Sequence, residues 1–138
     1  MSLLDTAILV AYTAHHGQTD NSGIPYIEHP KKVASFLDSE EDKIIAMLHD
    51  VIEDTFLTEE DLRPVFGDKI VDIVVLLTKV KGEDYFDYIN RIKGNEIATR
   101  VKLADIKHNS DISRIANPTK KDYDRLEKYN KAKAILLG

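Results

Sequence analysis

Apolar residues recur at three- and four-residue spacing along almost the whole chain, which is the period of amphipathic helices. Residues 3–16 carry Leu4, Ile8, Ala11 and Tyr12 at that spacing. "NSGIP" (21–25) interrupts it with turn chemistry, since Gly23 and Pro25 break helices. A helix is expected to restart near Pro30, a residue suited to a first turn, and to run to Leu37. "DSEED" (38–42) is a polar connection that puts acids where a helix dipole favours them. The next helix then runs through "KIIAMLHDVIED". Thr58 and Asp61 have the spacing of a capping box, opening a short helix through Leu62 that Pro64 ends. Gly67 precedes the strongly apolar "DKIVDIVVLLT", whose run "IVVLL" suits either a helix or a strand. Gly82 and Gly94 bracket "EDYFDYINRIK", Asn95 can cap "EIATRVKLADIKHNSDIS", and Thr119 can cap "KKDYDRLEKYNKAKAILL". The pattern predicts an all-α helical bundle of about eight helices, one or two of them short, with no sheet. No repeat or linker divides it, so residues 1–138 are expected to form one domain.

Composition narrows the function classes. A chain of 138 residues is long enough to bury a core. With no cysteine there is neither a disulfide nor a thiolate metal site, which fits a reducing cytoplasm. The net charge of −5 argues against a general DNA or RNA binder. It leaves room for a small nucleotide whose phosphates meet a metal or a local basic pocket. The longest apolar run, "IVDIVVLL", contains Asp72 and is too short to span a bilayer. "MSLLDTAILV" lacks the basic start of a signal peptide. No membrane association is expected.

Three segments carry ionisable groups inside apolar helical patterns, where charge is costly unless compensated. In "AMLHDVIEDT", His49, Asp50, Glu53 and Asp54 fall within an arc of about 140° on a continuous helix. In "VKLADIKHNSDI", Asp105 and Asn109 are four apart and stack on one face. In "GIPYIEHPKKVASFL", His29 follows a rigid turn and precedes Pro30. Each has a plain structural explanation when taken alone: a solvated helix end, an exposed stripe, a surface histidine. Together, His29, His49, Asp50 and Asp105 make a set of two imidazoles and two carboxylates. Such a set suits a divalent ion such as Mn²⁺, Fe²⁺ or Zn²⁺. A cation there would offset the desolvation of the carboxylates.

The pieces "AHHGQTDNSGIPYIEHPKKVASFL", "AMLHDVIEDT", "FGDKIVDIVVLLTK" and "RVKLADIKHNSDISRI" cover most of residues 11–115. In type and order they resemble the HD-domain metal-dependent phosphohydrolases. Within these they are most similar to the hydrolase domain of RelA/SpoT-type enzymes and to small alarmone hydrolases, which remove the 3′-pyrophosphate of (p)ppGpp in the stringent response. The resemblance implies His29, His49, Asp50 and Asp105 as metal ligands, with Mn²⁺ the usual ion. It implies Glu53 and Asp54 as the catalytic acids that handle the attacking water. It implies Asn109, Asn21, Ser22 and Tyr129 as substrate contacts. A small-molecule nucleotide is then the partner, and a homo-oligomer is compatible with the pattern. In the full-length alarmone hydrolases an arginine that packs on the guanine base stands where this chain has Asp20. An acid cannot stack as a guanidinium does, so base specificity is the open point.

Lys79, Lys102 and Arg114 are candidates for holding outer phosphates. His15 is expected to support the "GQTDNSG" loop, and His16 and His108 to be exposed. Three functions follow from these residues: an alarmone 3′-pyrophosphohydrolase, an HD phosphohydrolase acting on another nucleotide or phosphoester, or a non-catalytic nucleotide-binding regulator.

Overall fold

The computed structural model describes residues 1–138 as nine α-helices and one 3-10 turn. They are α1 (Leu3–Ala14), α2 (Glu28–Ser35), α3 (Glu40–Leu48), α4 (Val51–Asp54), α5 (Glu59–Phe66), α6 (Asp68–Leu76), α7 (Tyr85–Ile92), α8 (Glu96–Asn109) and α9 (Lys120–Leu137), with the 3-10 turn at Ile112–Arg114. There is no strand, and "IVVLL" lies on α6 and its C-terminal end. The all-α bundle expected from the periodicity is the fold observed.

Starts are well marked. Thr58 with Asp61 and Thr119 with Asp122 form the reciprocal bonds of capping boxes, and the Asn95 side chain accepts from Ala98 N. Ser39 caps α3, whose first turn carries Glu40, Glu41 and Asp42. α3 is the hub: it packs on α1, α2, α6 and α8, and Ile45, Met47 and Leu48 are fully buried. α9 closes the bundle over α7 and α8.

Four features depart from the sequence pattern. α1 turns Ala7, Ala11 and Ala14 inward, leaving Ile8 and Tyr12 39% and 57% exposed. Small side chains let α1 lie close on α3, which outweighs the larger residues on its outer side. Pro64 does not end α5, which continues to Phe66. Leu62 and Phe66, one turn apart, are both buried, and that burial offsets the bond Pro64 cannot make. α8 stops at Asn109 instead of running through "SDIS", where Asp111 caps the 3-10 turn by accepting from Ser113 N.

The fourth departure shapes the centre of the molecule. "KIIAMLHDVIED" is two helices, not one. His49 ends α3 and Asp50, at φ −106° and ψ 0°, starts the single turn of α4. On a straight helix adjacent side chains diverge by about 100°. The break lets His49 and Asp50 converge.

Candidate metal centre

Three elements deliver the ionisable groups. α2 carries His29 in its first turn, the α3–α4 joint carries His49 and Asp50, and α8 carries Asp105. His29, His49 and Asp105 are all buried, and one ligand atom of each lies within 4.8 Å of the others. His29 Nε2 is 2.7 Å from Asp105 Oδ1 and 3.8 Å from Asp50 Oδ2. His49 Nε2 is 3.0 Å from Asp50 Oδ2 and 3.4 Å from Asp105 Oδ1. The four residues grouped from sequence therefore meet at one point.

Hydrogen bonds on the far sides of these groups fix which atoms face inward. His49 Nδ1 donates to the Ala46 carbonyl at 2.5 Å, so a neutral His49 presents its Nε2 lone pair to the carboxylates. Nε2 is buried and makes no well-directed hydrogen bond. A lone pair aimed at two carboxylates is unfavourable without a cation between them, so the donor set fits a divalent ion. His29 Nδ1 lies 2.7 Å from His108 Nδ1, and the two rings stack 5.0 Å apart. For His29 Nε2 to act as a ligand, Nδ1 must carry the proton and donate it to His108. Burial, then the Arg114 charge, push His108 down to about 4, which keeps it a neutral acceptor. His108 was expected to be exposed; it is instead half-buried against His29.

The carboxylates are equally constrained. Asp105 Oδ2 accepts from Lys102 Nζ at 2.8 Å, while Oδ1 accepts from Asn109 Nδ2 at 3.1 Å and faces the imidazoles. Burial pushes the Asp105 carboxyl up, but the Lys102 ammonium and the two imidazoles hold it well below the usual range. Lys102, expected as a phosphate holder, is committed to this ion pair and lies over the Tyr88 ring. Asp50 Oδ2 accepts from the Tyr26 hydroxyl. Burial raises the Asp50 carboxyl, and the adjacent His49, with His29, draws it down to about 2. For His49, burial is outweighed by Asp50 and Asp105, and its proton is held well above the ordinary histidine range.

Glu53 and Asp54 sit at the exposed rim on α4, not on a buried face. Glu53 Oε1 accepts from Lys79 N at 2.8 Å, which ties it to the segment after α6. Asp54 is raised to about 6 by burial and by the charges of Asp50 and Glu53. Its backbone carbonyl accepts from Gln18 Nε2, and Gln18 Oε1 lies 2.8 Å from Nδ1 of buried His15. His15 thus braces the loop as expected. Asn21, Ser22, Asn109 and Tyr129 line one cavity of about 450 Å³, together with Asp20, Tyr26 and Arg114.

A model of the HD domain matches residues 7–103, more than half of the chain. The chain belongs to the HD-domain family. This is the family of metal-dependent phosphohydrolases that the motifs resembled, on its RelA/SpoT-related side. The bifunctional (p)ppGpp synthase/hydrolase SpoT of Escherichia coli K12 is 36% identical over 121 residues, covering 77% of this chain. The guanosine-3′,5′-bis(diphosphate) 3′-pyrophosphohydrolase of Vibrio cholerae is 43% identical over 81 residues, which is 56% of this chain and 12% of that protein. The chain spans only about 17% of the length of SpoT. Among solved structures, a metazoan ortholog of SpoT that hydrolyzes ppGpp superposes with a TM-score of 0.80. At 24% identity, over 100% of this chain and 87% of that one, it shows the shared fold. A Listeria monocytogenes protein superposes with a TM-score of 0.64 at 28% identity, over 83% of this chain and 81% of that one. No helix of this HD domain is long and apolar enough to cross a membrane.

Besides His108, sequence reasoning missed Tyr26 and gave Lys102 a different role. Tyr26 anchors Asp50, and its signal was its place three residues before His29 in "GIPYIEHP". Lys102 stands three residues before Asp105, the spacing of an intrahelical ion pair.

Proposed function

We propose that this HD domain is a Mn²⁺-dependent phosphohydrolase that removes the 3′-pyrophosphate of (p)ppGpp. The observation that carries the reading is the convergence of His29, His49, Asp50 and Asp105, with His49 Nε2 3.0 Å from Asp50 Oδ2 and 3.4 Å from Asp105 Oδ1. His29 Nε2, His49 Nε2, Asp50 and Asp105 would hold the ion. When bound, a divalent ion lowers the pKa of water towards about 7 and offsets charge on phosphate oxygen.

The chain's own groups perform the rest. Asp54 would be the proton acceptor of the acid pair, since burial and the Asp50 and Glu53 charges push its carboxyl up to about 6 while Glu53 is tied to Lys79 N. Glu53, fixed to Lys79 N, orients the rim of the site. His108 and the Ala46 carbonyl hold the two imidazoles in their ligating tautomers. Asn21, Ser22, Asn109 and Tyr129 face the cavity in which a nucleotide would lie.

The test is pyrophosphate release from (p)ppGpp by the purified protein, with and without Mn²⁺. Release that needs the ion and disappears in Asp50→Ala and Asp105→Ala supports the assignment. No release with any divalent ion at high protein concentration sinks it. A second reading, hydrolysis of a nucleotide with another base, rests on Asp20 standing at the family arginine position. Faster turnover of an adenine, uracil or cytosine analogue in a substrate panel selects that reading.

A further inference from the structure

The pocket in which Asp20 replaces an arginine is not without a guanidinium. Arg114, from the 3-10 turn after α8, reaches back to it: Nη2 lies 3.5 Å from Asp20 Oδ2 and Nη1 donates to the His108 carbonyl at 2.9 Å. The side chain stays about one-third exposed and lines both the 450 Å³ cavity and a neighbouring one of about 250 Å³ that reaches His29 and His108. Asp20 has no free edge for a base. Its Oδ1 accepts from Ser22 N and Ile24 N at 2.8 and 3.0 Å, and its Oδ2 faces Arg114. The other acids of the cavity are also engaged, Asp111 with Ser113 and Asp122 with Thr119 and Arg125.

A guanidinium whose N–H edges are held by a carboxylate and a carbonyl offers a ligand its flat face. That face is weakly hydrated and stacks on aromatic rings. With the phosphates at the metal ligands, as the proposed function has them, the 450 Å³ cavity lined by Asp20, Tyr129 and Arg114 is left for the nucleoside end.

We propose that Arg114 is the base-side cation of this pocket, stacking on the purine of the bound nucleotide, and that Asp20 positions it. The proposal rests on the nucleotide reading above. It moves the determinant of base recognition from the loop to the segment after α8. Asp20 becomes the holder of the cation instead of a substitute for it.

Calorimetric titration of the Mn²⁺-loaded protein with GDP, UDP and inorganic pyrophosphate separates base from phosphate contacts. Losing one stacking face should weaken GDP by about 10-fold in Arg114→Ala and UDP, with its smaller ring, by less. Pyrophosphate should bind unchanged. Arg114→Lys should resemble Arg114→Ala, since charge without the plane does not stack. Asp20→Asn keeps an oxygen for the loop bonds and should weaken GDP by about 3-fold, with no added loss in the Arg114→Ala background. Unchanged pyrophosphate affinity also shows that each variant is folded at the metal centre. Equal weakening of GDP and pyrophosphate, a wild-type-like Arg114→Lys, or unchanged GDP affinity in Arg114→Ala would overturn the assignment. So would wild-type protein that does not bind GDP. Wild-type protein that binds GDP but releases no pyrophosphate from (p)ppGpp refutes the hydrolase reading and leaves this one standing.

Discussion

Lys102→Met tests whether the carboxylates are held by protein charge or by metal. Lys102 is nearly buried, with its ammonium 2.8 Å from Asp105 Oδ2 and over the Tyr88 ring. Methionine keeps most of the volume and removes the charge. Asp105 is then left buried with one oxygen unpaired, and breaking a buried ion pair from one side costs about 3–5 kcal/mol. In a chain of this length that lowers the melting temperature of the metal-free protein by roughly 10–20 °C. A divalent ion at about 100 times its dissociation constant returns about 2.7 kcal/mol by binding only the folded state. The ion also meets a more negative site in the variant, so its stabilising shift should be larger there than in wild type. The assay is thermal unfolding of both proteins, stripped by chelator and then supplied with Mn²⁺. A metal-free Lys102→Met as stable as wild type would refute the compensation by Lys102. An equal or smaller Mn²⁺ shift in the variant would refute the coupling between Lys102 and the ion.

Asp54→Asn should lower kcat by about 10²- to 10³-fold with metal content unchanged, as expected for loss of a general base. The wild-type rate should fall on the acid side, at or below pH about 6, because Asp54 must be ionised and a bound cation would lower its pKa; an acid limb that persists unchanged in Asp54→Asn would assign the base elsewhere. Asp50→Ala and Asp105→Ala should abolish both turnover and stoichiometric Mn²⁺ in metal analysis. Tyr26→Phe removes a hydrogen bond to a charged, half-buried Asp50 and should cost about 1.5–3 kcal/mol in urea unfolding. Without metal, the lowered Asp50 and Asp105 stabilise the fold above their ordinary range near pH 4 and lose that contribution as pH falls. The raised His49 contributes fully below about pH 6.5 and loses its contribution as pH rises through its folded value. Urea midpoints of chelated protein should therefore peak between about pH 4 and 6.5. A peak at alkaline pH would show that His49 is not held protonated.

Most helices were legible because their signals are local. Thr58–Asp61, Asn95 and Thr119–Asp122 mark starts within four residues. The cluster of His29, His49, Asp50 and Asp105 was legible because charge inside apolar periodicity is costly and points to a partner. What escaped depended on neighbours distant in sequence. Nothing in "AMLHDVIEDT" marks a break, since both halves follow helical periodicity. Ala7 and Ala14 look unremarkable until α3 lies against them. His108 was expected to be exposed because it lies outside the ligand motif, and only α2 brings His29 under its ring. Arg114 was legible only as a candidate for phosphates, and its pairing with Asp20 was not, because the two are 94 residues apart.

The joint at His49–Asp50 also gears the two halves of the site together. α4 leaves it with a fixed phase, so Asp54 reaches the rim only while the count from Asp50 is kept. One residue inserted between Asp50 and Glu53 would rotate the acid pair by about 100°, turning it away while His49 and Asp50 stay in place. Side chains in this segment can be exchanged one at a time, but its length cannot drift. Over evolutionary time the stretch should tolerate substitution at Ile52 far better than any insertion or deletion.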